Sequence, residues 1–237
     1  AASDGRNGGA VKADFLEAAL AQGRDALSEY DSKRLLSSYG VPTARETLVR
    51  SRPEAADAAE AIGFPVVLKA CHHTLKHKTG LGLIELNVSD KAETEAAYDR
   101  IMANVKGEID GILVQEMVTG GRELLAGMAR DATFGPCVIF GLGGIMAEAL
   151  RDVVFRAAPL CERDLADMIS ELRAKDVIGD FRGSATADMA ALGAALQAVG
   201  RIGLEHPGVK EIDVNPLILR PDGTIVAADA LVTLSGI

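Results

Sequence analysis

Residues 211–234, EIDVNPLILRPDGTIVAADALVTL, decide how the C-terminal part of the chain folds. Two apolar runs flank a Pro-Asp-Gly sequence centred on Asp222, a pattern typical of a tight turn between two strands. A hairpin centred there places Asn215 opposite Asp229, and opposed residues of an antiparallel pair project to the same face. Asp213 shares that face, because side chains two residues apart on a strand point the same way. The sequence thus predicts three oxygen-bearing side chains close together.

Three such side chains suit a magnesium site. Two carboxylates close together are costly to bury unless a cation or hydrogen-bond donors compensate their charge. Mg²⁺ takes few oxygen ligands from protein and completes its shell with water and substrate phosphates. The alternative is that the same residues face solvent on a half-exposed sheet, and a register shift of one residue would separate them.

Composition limits the class of protein. The chain has 237 residues, of which 48% are hydrophobic and 25% charged, as expected of a globular protein with one large domain or two lobes. Its net charge of −9 argues against nonspecific binding to nucleic acid or to an anionic membrane. Three widely spaced cysteines favour neither a disulfide framework nor a zinc site, so we expect a cytoplasmic location. No signal peptide and no apolar run of about 18 residues is visible.

Upstream of the hairpin, predicted helices and strands alternate. Residues 1–10 are Gly-rich and predict a tail, and helical periodicity begins near Phe15. A second helix is expected from Ser28 to Gly40. The alternation that follows has a natural break near residue 118, which indicates an α+β protein of two parts.

Three further features could serve a nucleotide. Lys69 ends the apolar strand FPVVLKA, where its amine either reaches phosphates or extends into solvent. Gly143 and Gly144 follow another apolar strand and match neither a Rossmann nor a Walker A pattern. They either let backbone amides approach phosphates or form a plain tight turn. His77 lies in CHHTLKHKTG, which is either an anion-handling loop or a basic surface loop.

In their order along the chain, five blocks resemble the ATP-grasp domain of NDP-forming acyl-CoA synthetases. The similarity is to the beta subunit of the ADP-forming acetyl-CoA synthetase type, which is related to the succinyl-CoA synthetase beta subunit. It covers about residues 25–235 through SEYDSKRLLSSYGVP, FPVVLKA, HKTGLGL, ILVQEMVTGGRELLAGMARDATFGPCVIFGLGG and EIDVNPL.

The resemblance implies an α+β ATP-grasp fold, with two α/β lobes and the nucleotide bound between them. We therefore expect a tail and leading helix at residues 1–24. The larger lobe would comprise residues 25–44 and 115–237, and the smaller lobe, with the His77 loop, residues 45–114.

The resemblance also assigns residues to the nucleotide. Lys69 matches a lysine that contacts the ATP phosphates, and Glu123 matches an acidic residue near the ribose. The segment from Gln115 through Glu116 to Val118 matches the hinge whose backbone holds the adenine edge. We expect Gly143 and Gly144 to border the same ligand.

A second group of matches concerns the metal and phosphate transfer. Asn215 and Asp229 match the Mg²⁺ pair of succinyl-CoA synthetase, and Asp213 is either a further metal partner or a residue that handles a phosphohistidine. His77 matches a histidine that relays phosphate. Gly80 replaces the aspartate of the family's H-K-S-D pattern, a departure that concerns phosphate transfer more than nucleotide binding.

The implied reaction is acid + CoA + ATP ⇌ acyl-CoA + ADP + phosphate through a phosphohistidine, with ATP/ADP and Mg²⁺ as cofactors. It requires an alpha-type, CoA-binding subunit or domain that carries the primary phosphohistidine, together with a small-molecule acid and CoA. One alternative is a nucleotide-sensing, synthetase-like module of a protein acetyltransferase. Another is a carboxylate–amine ligase that shares the fold.

Overall fold

The chain forms two compact units in the computed structural model, which describes residues 14–75, 81–144, 152–181 and 183–235. The larger unit comprises the described residues up to Leu27, then 31–43, then Gly120 onward; the smaller comprises 28–30 and 44–119. The larger unit resumes at Gly120 rather than at the expected residue 115, because the strand Gly111–Glu116 stays paired within the smaller unit's sheet.

The smaller unit is an antiparallel sheet with two helices. Its elements are β1 (Glu46–Val49), α3 (Arg52–Ile62), β2 (Val66–Cys71), β3 (Ile84–Val88), α4 (Lys91–Asn104) and β4 (Gly111–Glu116). The described strands lie in the order β1-β4-β2-β3. Every residue of β2 is buried, as expected of a central strand with an apolar sequence. Polar side chains on β2 therefore need partners inside the unit.

Local capping signals set where the two helices of this unit begin. The Ser51 side chain accepts a hydrogen bond from the backbone N–H of Glu54 at 3.4 Å, and Pro53 occupies the first turn of α3. Asp90 caps α4 by accepting from the N–H of Glu93 at 2.8 Å. Both caps therefore lie within one turn of the helix start.

The larger unit contains the longer sheet and the remaining described helices. Its elements are α1 (Asp14–Ala21), α2 (Glu29–Ser38, whose first two residues group with the smaller unit), β5 (Arg122–Asp131), β6 (Gly135–Leu142), β7 (Val153–Ala157), α5 (Glu162–Glu171), α6 (Met189–Glu205), β8 (Val209–Leu219), β9 (Ile225–Ala227) and β10 (Leu231–Leu234). The strands follow the order β10-β8-β5-β6-β7, with β9 also paired to β8. In the described ranges, no helix is long and apolar enough to cross a membrane.

The predicted hairpin forms with the predicted register. Leu217 pairs with Ala227 and Leu219 with Ile225, so the turn is centred on Asp222. The same register resumes on β10, where Leu231 pairs with Asp213. Strand β8 also pairs with β5 on its other side, and it therefore lies within the sheet.

Candidate functional site

Lys69 is held inside the smaller unit rather than extended to solvent. Its ammonium lies 2.7 Å from Oε1 of Glu29 and 3.2 Å from Oε1 of Gln115. All three residues are buried, with 5% exposure for Lys69 and Glu29 and 3% for Gln115. The solvent-extended alternative for Lys69 is therefore wrong. Glu29 was not among the predicted site residues; its partner lies 40 residues away, so local spacing carries no signal of the pair.

The proposed hinge continues the smaller unit's sheet. The backbone N–H of Glu116 donates to the carbonyl of Arg45 at 2.9 Å, and that of Met117 donates to Pro65 at 3.1 Å. The Glu116 carboxylate accepts from the Arg45 guanidinium at 3.0 Å. These two N–H groups are therefore engaged within the protein.

The His77 loop lies outside the described residues, as do Gly80 and its neighbours in 76–80. Just before it, two adjacent histidines follow the end of β2. The rings of His72 and His73 have centroids 4.1 Å apart, and Nδ1 of His72 lies 2.8 Å from the Thr74 hydroxyl. The described residues that follow the strand of Lys69 thus include two neighbouring imidazoles.

The hairpin of the larger unit interrupts its pairing where the metal ligands were predicted. Strand pairing stops at Leu217–Ala227 and resumes at Asp213–Leu231, so Asn215 and Asp229 occupy the gap between paired segments instead of forming a direct pair. Pro216 lacks an N–H and cannot donate across the hairpin. Asn215 and Asp229 are both partly buried in this gap.

Asp213 lies close enough to Asp229 for the charge of that carboxylate to act on it. The pKa of Asp213 is raised, first by burial and then by the charges of Asp229 and Glu211. The Asp213 side chain is nevertheless accessible to solvent. Protein atoms therefore surround it on some sides and leave another side open. A carboxylate in this position is disfavoured in its charged form unless a cation arrives.

The donor set fits Mg²⁺. Carboxylate and amide oxygens are hard ligands, and Mg²⁺ needs only one or two carboxylates when phosphates and water complete its shell. Within the described ranges, no group of three or more His, Cys, Asp or Glu side chains is arranged to hold a metal ion. The fit therefore depends on an amide oxygen beside two carboxylates, with Asn215 as the third donor.

Glu123, Gly143 and Gly144 meet at the end of β6. The N–H of Gly143 donates to the Glu123 carbonyl at 2.9 Å, and the N–H of Gly144 donates to Oδ1 of Asn215 at 3.1 Å. Glu123 itself is exposed on β5, next to β8 in the sheet. The structure therefore brings predicted nucleotide residues and a predicted metal ligand together within the larger unit.

The fold defines the class of protein. The sequence model of the ATP-grasp domain matches residues 18–234, and the chain belongs to this family. The predicted ATP-grasp fold is confirmed.

Among known proteins, the chain is similar to ADP-forming acetate–CoA ligases. The acetate–CoA ligase [ADP-forming] I subunit beta of Pyrococcus furiosus is 36% identical over 93% of this chain and 97% of its own length. The acetate–CoA ligase [ADP-forming] I of Archaeoglobus fulgidus is 41% identical over 81% of this chain, which spans only 29% of that longer protein.

The chain is also similar to solved structures of an acetyl-coenzyme A synthetase. The acetyl-coenzyme A synthetase 1 of Ca. Korarchaeum cryptofilum, in complex with coenzyme A and Ca-AMPCP, superposes with a TM-score of 0.89 at 42% identity, over 94% of this chain and 99% of that chain. Another structure of that enzyme contains coenzyme A and Mg-AMPPCP, with a phosphohistidine segment that points towards the nucleotide site (TM-score 0.84, 40% identity, 94% and 100% covered).

Proposed function

We propose that this chain is the nucleotide-binding beta subunit, or the equivalent domain, of an ADP-forming acyl-CoA synthetase. The reaction is acid + CoA + ATP ⇌ acyl-CoA + ADP + phosphate. The observation that carries the proposal is the 36% identical match that runs over 97% of a ligase beta subunit. ATP-grasp membership supports ATP and ADP as the ligands.

Charge neutralisation is the chemistry that the described residues support. In the smaller unit, Glu29 and Gln115 fix the Lys69 ammonium, which acts as a point charge towards phosphate. In the larger unit, Asn215, Asp229 and Asp213 would hold Mg²⁺. The chemistry that the metal would supply there is neutralisation of charge on the phosphate oxygens. The protein's own part is to fix these charges before the nucleotide arrives.

Nucleotide selection is assigned to β4 and the residues after it. Because the N–H groups of Glu116 and Met117 are engaged within the protein, we assign the adenine edge to the backbone of Val118. Gln115 then serves the ligand indirectly, through its hydrogen bond with Lys69. Glu123 is assigned to the ribose side.

Phosphate relay is assigned to His77. A histidine is suited to carry a phosphoryl group because its neutral imidazole is a nucleophile near pH 7. The Korarchaeum enzyme has a phosphohistidine segment that points towards its nucleotide site. We propose that a similar segment of the partner exchanges the phosphoryl group with His77.

The partner is an alpha-type subunit or domain that binds CoA and carries the primary phosphohistidine. Support comes from the Archaeoglobus ligase, in which the matching part is 29% of a longer chain, and from coenzyme A in the Korarchaeum structures. We assign the acid and CoA to that partner. A cytoplasmic location fits ATP as substrate and cysteines that form no disulfide in the described structure.

The test is to incubate the chain and its alpha partner with γ-labelled ATP and Mg²⁺. We expect acid-labile, base-stable protein label that acid plus CoA discharges. Intact nucleotide binding without any histidine label would point instead to the sensing module. Unchanged synthesis by a His77→Ala variant would refute the relay assignment.

A matched pair of variants tests the hairpin metal site. Asp229→Asn removes a predicted ligand charge, whereas Asp222→Asn removes a carboxylate from the exposed turn of the same hairpin. We expect only Asp229→Asn to weaken MgADP binding measured by calorimetry, and to need more Mg²⁺ for half-saturation. Equal affinities for the two variants would show that the hairpin holds no metal.

A further inference from the structure

Gly144 lies where two side chains from different strands meet. Its N–H donates to Oδ1 of Asn215 on β8 at 3.1 Å. A backbone donor at this place selects the amide orientation, because the opposite rotamer would set the NH₂ group of Asn215 against the N–H. Oδ1 has two lone pairs, so it can accept this bond and still face a cation.

The side-chain space at Gly144 is filled by Glu123. A Cβ built on Gly144 would lie 1.6 Å from Oε2 and 2.8 Å from Cδ of Glu123, far inside van der Waals contact. The Gly143 N–H binds the Glu123 carbonyl at 2.9 Å, so the backbone of that residue is fixed too. The Glu123 carboxylate therefore lies directly against the backbone of Gly144.

Conformation gives a second reason for glycine at this position. Gly144 has φ +57°, in the left-handed region that L side chains rarely adopt. Gly135, in the same unit, has φ +73° but nothing within 4 Å of its Cβ position. The two glycines share the backbone requirement and differ in the contact with Glu123, which makes Gly135 a matched control.

We infer that Gly144 is a positioning residue that holds the Glu123 carboxylate and the Asn215 amide in one fixed arrangement, and so couples the nucleotide side of the site to its metal ligand. This inference rests on the proposed function. A plain tight turn would need the positive φ alone. Here a backbone hydrogen bond and an occupied side-chain space join two residues that are separated by 92 positions in the chain.

The first test compares Gly144→Ala with Gly135→Ala. The atom that clashes is the end of a flexible side chain, so the Gly144 variant should fold and displace Glu123. We expect Gly144→Ala to weaken MgADP binding by about tenfold or more and Gly135→Ala to stay within about twofold. Both variants place alanine at a positive φ, but only the Cβ at position 144 would displace Glu123. Equal affinities for the two variants would overturn the inference.

A double-variant cycle asks whether Gly144 acts through Glu123. Once Glu123→Ala has removed the clashing carboxylate, adding Gly144→Ala should cost less than about twofold, since contacting residues are non-additive. An undiminished penalty in the Glu123→Ala background would show that backbone strain alone is responsible, and the inference would fail.

A third measurement remains decisive if Gly144→Ala does not fold. Glu123→Ala truncates an exposed side chain, and its loss should loosen the Asn215 amide through Gly144. We expect the Mg²⁺ concentration for half-maximal ADP binding to rise by about threefold or more, as coupling of about 0.7 kcal/mol implies. An unchanged Mg²⁺ requirement would refute the coupling. If the wild-type chain binds no MgADP, the proposed function itself fails, and that outcome is distinct.

Discussion

The buried ion pair of the smaller unit gives the sharpest prediction about stability. Lys69 and Glu29 lie 2.7 Å apart with side-chain exposures of 7% and 3%. Glu29→Ala would leave a buried ammonium without its carboxylate, and breaking such a pair from one side costs about 3–5 kcal/mol. Glu29→Gln keeps an acceptor for the Lys69 ammonium but loses the charge, so we expect a smaller loss.

An exposed pair in the same unit is the control. Lys91 lies 3.2 Å from Glu60 with side-chain exposures of 47% and 52%. Glu60→Ala should therefore cost much less than Glu29→Ala, because solvent screens exposed pairs. Both variants remove a carboxylate from a lysine of the smaller unit; the control pair is exposed, and Lys91 also keeps Asp57 at 3.4 Å.

Urea unfolding at 25 °C, followed by far-UV circular dichroism, measures both variants. Hydrogen exchange of peptides from β2 then assigns the loss to the smaller unit, because two units need not unfold together. A Glu29→Ala cost no larger than that of Glu60→Ala would refute the reasoning. It would mean that Lys69 is hydrated or paired otherwise once Glu29 is gone.

Three further predictions concern single side chains. Tyr39→Phe removes a hydroxyl that donates to the Glu205 carboxylate, so we expect about 1.5–3 kcal/mol lower stability by urea unfolding, and no change would contradict the contact. Burial and the charge of Asp229 raise the pKa of Asp213, so Asp213→Asn should raise the melting temperature measured in EDTA. The same variant should abolish the rise in melting temperature that Mg²⁺ causes in the wild type. Hydrogen bonds from the backbone N–H and the hydroxyl of Ser89 lower the pKa of Glu93. The ionised Glu93 carboxylate therefore stabilises the fold above its unfolded pKa, and this contribution is lost as pH falls through the folded pKa. The stability difference between wild type and Glu93→Gln should therefore disappear at acid pH, and a constant difference would exclude this origin.

Local signals made much of the fold predictable. The Pro-Asp-Gly turn around Asp222 set the register of the hairpin, because a tight turn fixes which residues face each other within a few positions. Caps at Ser51 and Asp90 act within one helical turn, so the starts of α3 and α4 could be read from neighbouring residues. The resemblance to ATP-grasp synthetases added the family, which the comparisons confirmed.

The boundary between units depends on contacts that are not local. Hydrogen bonds from β4 to β1 and β2 keep Gly111–Glu116 in the smaller unit, and these partners lie far back in the chain. Likewise, the pairing at Asn215 and Asp229 stops where Pro216 cannot donate, so the two residues occupy a gap between ladders.

The sequence by itself determined the elements, the hairpin register and the residue types that suit a phosphate and a magnesium ion. Only the tertiary structure decided that Lys69 is paired with Glu29, and that Gly144 joins Glu123 to Asn215. Turns, caps and strand alternation depend on near neighbours, whereas burial and side-chain contact depend on which distant strands lie side by side. That is why Gly144, which could have been a plain turn in the sequence, becomes in the folded chain the contact between two predicted binding residues.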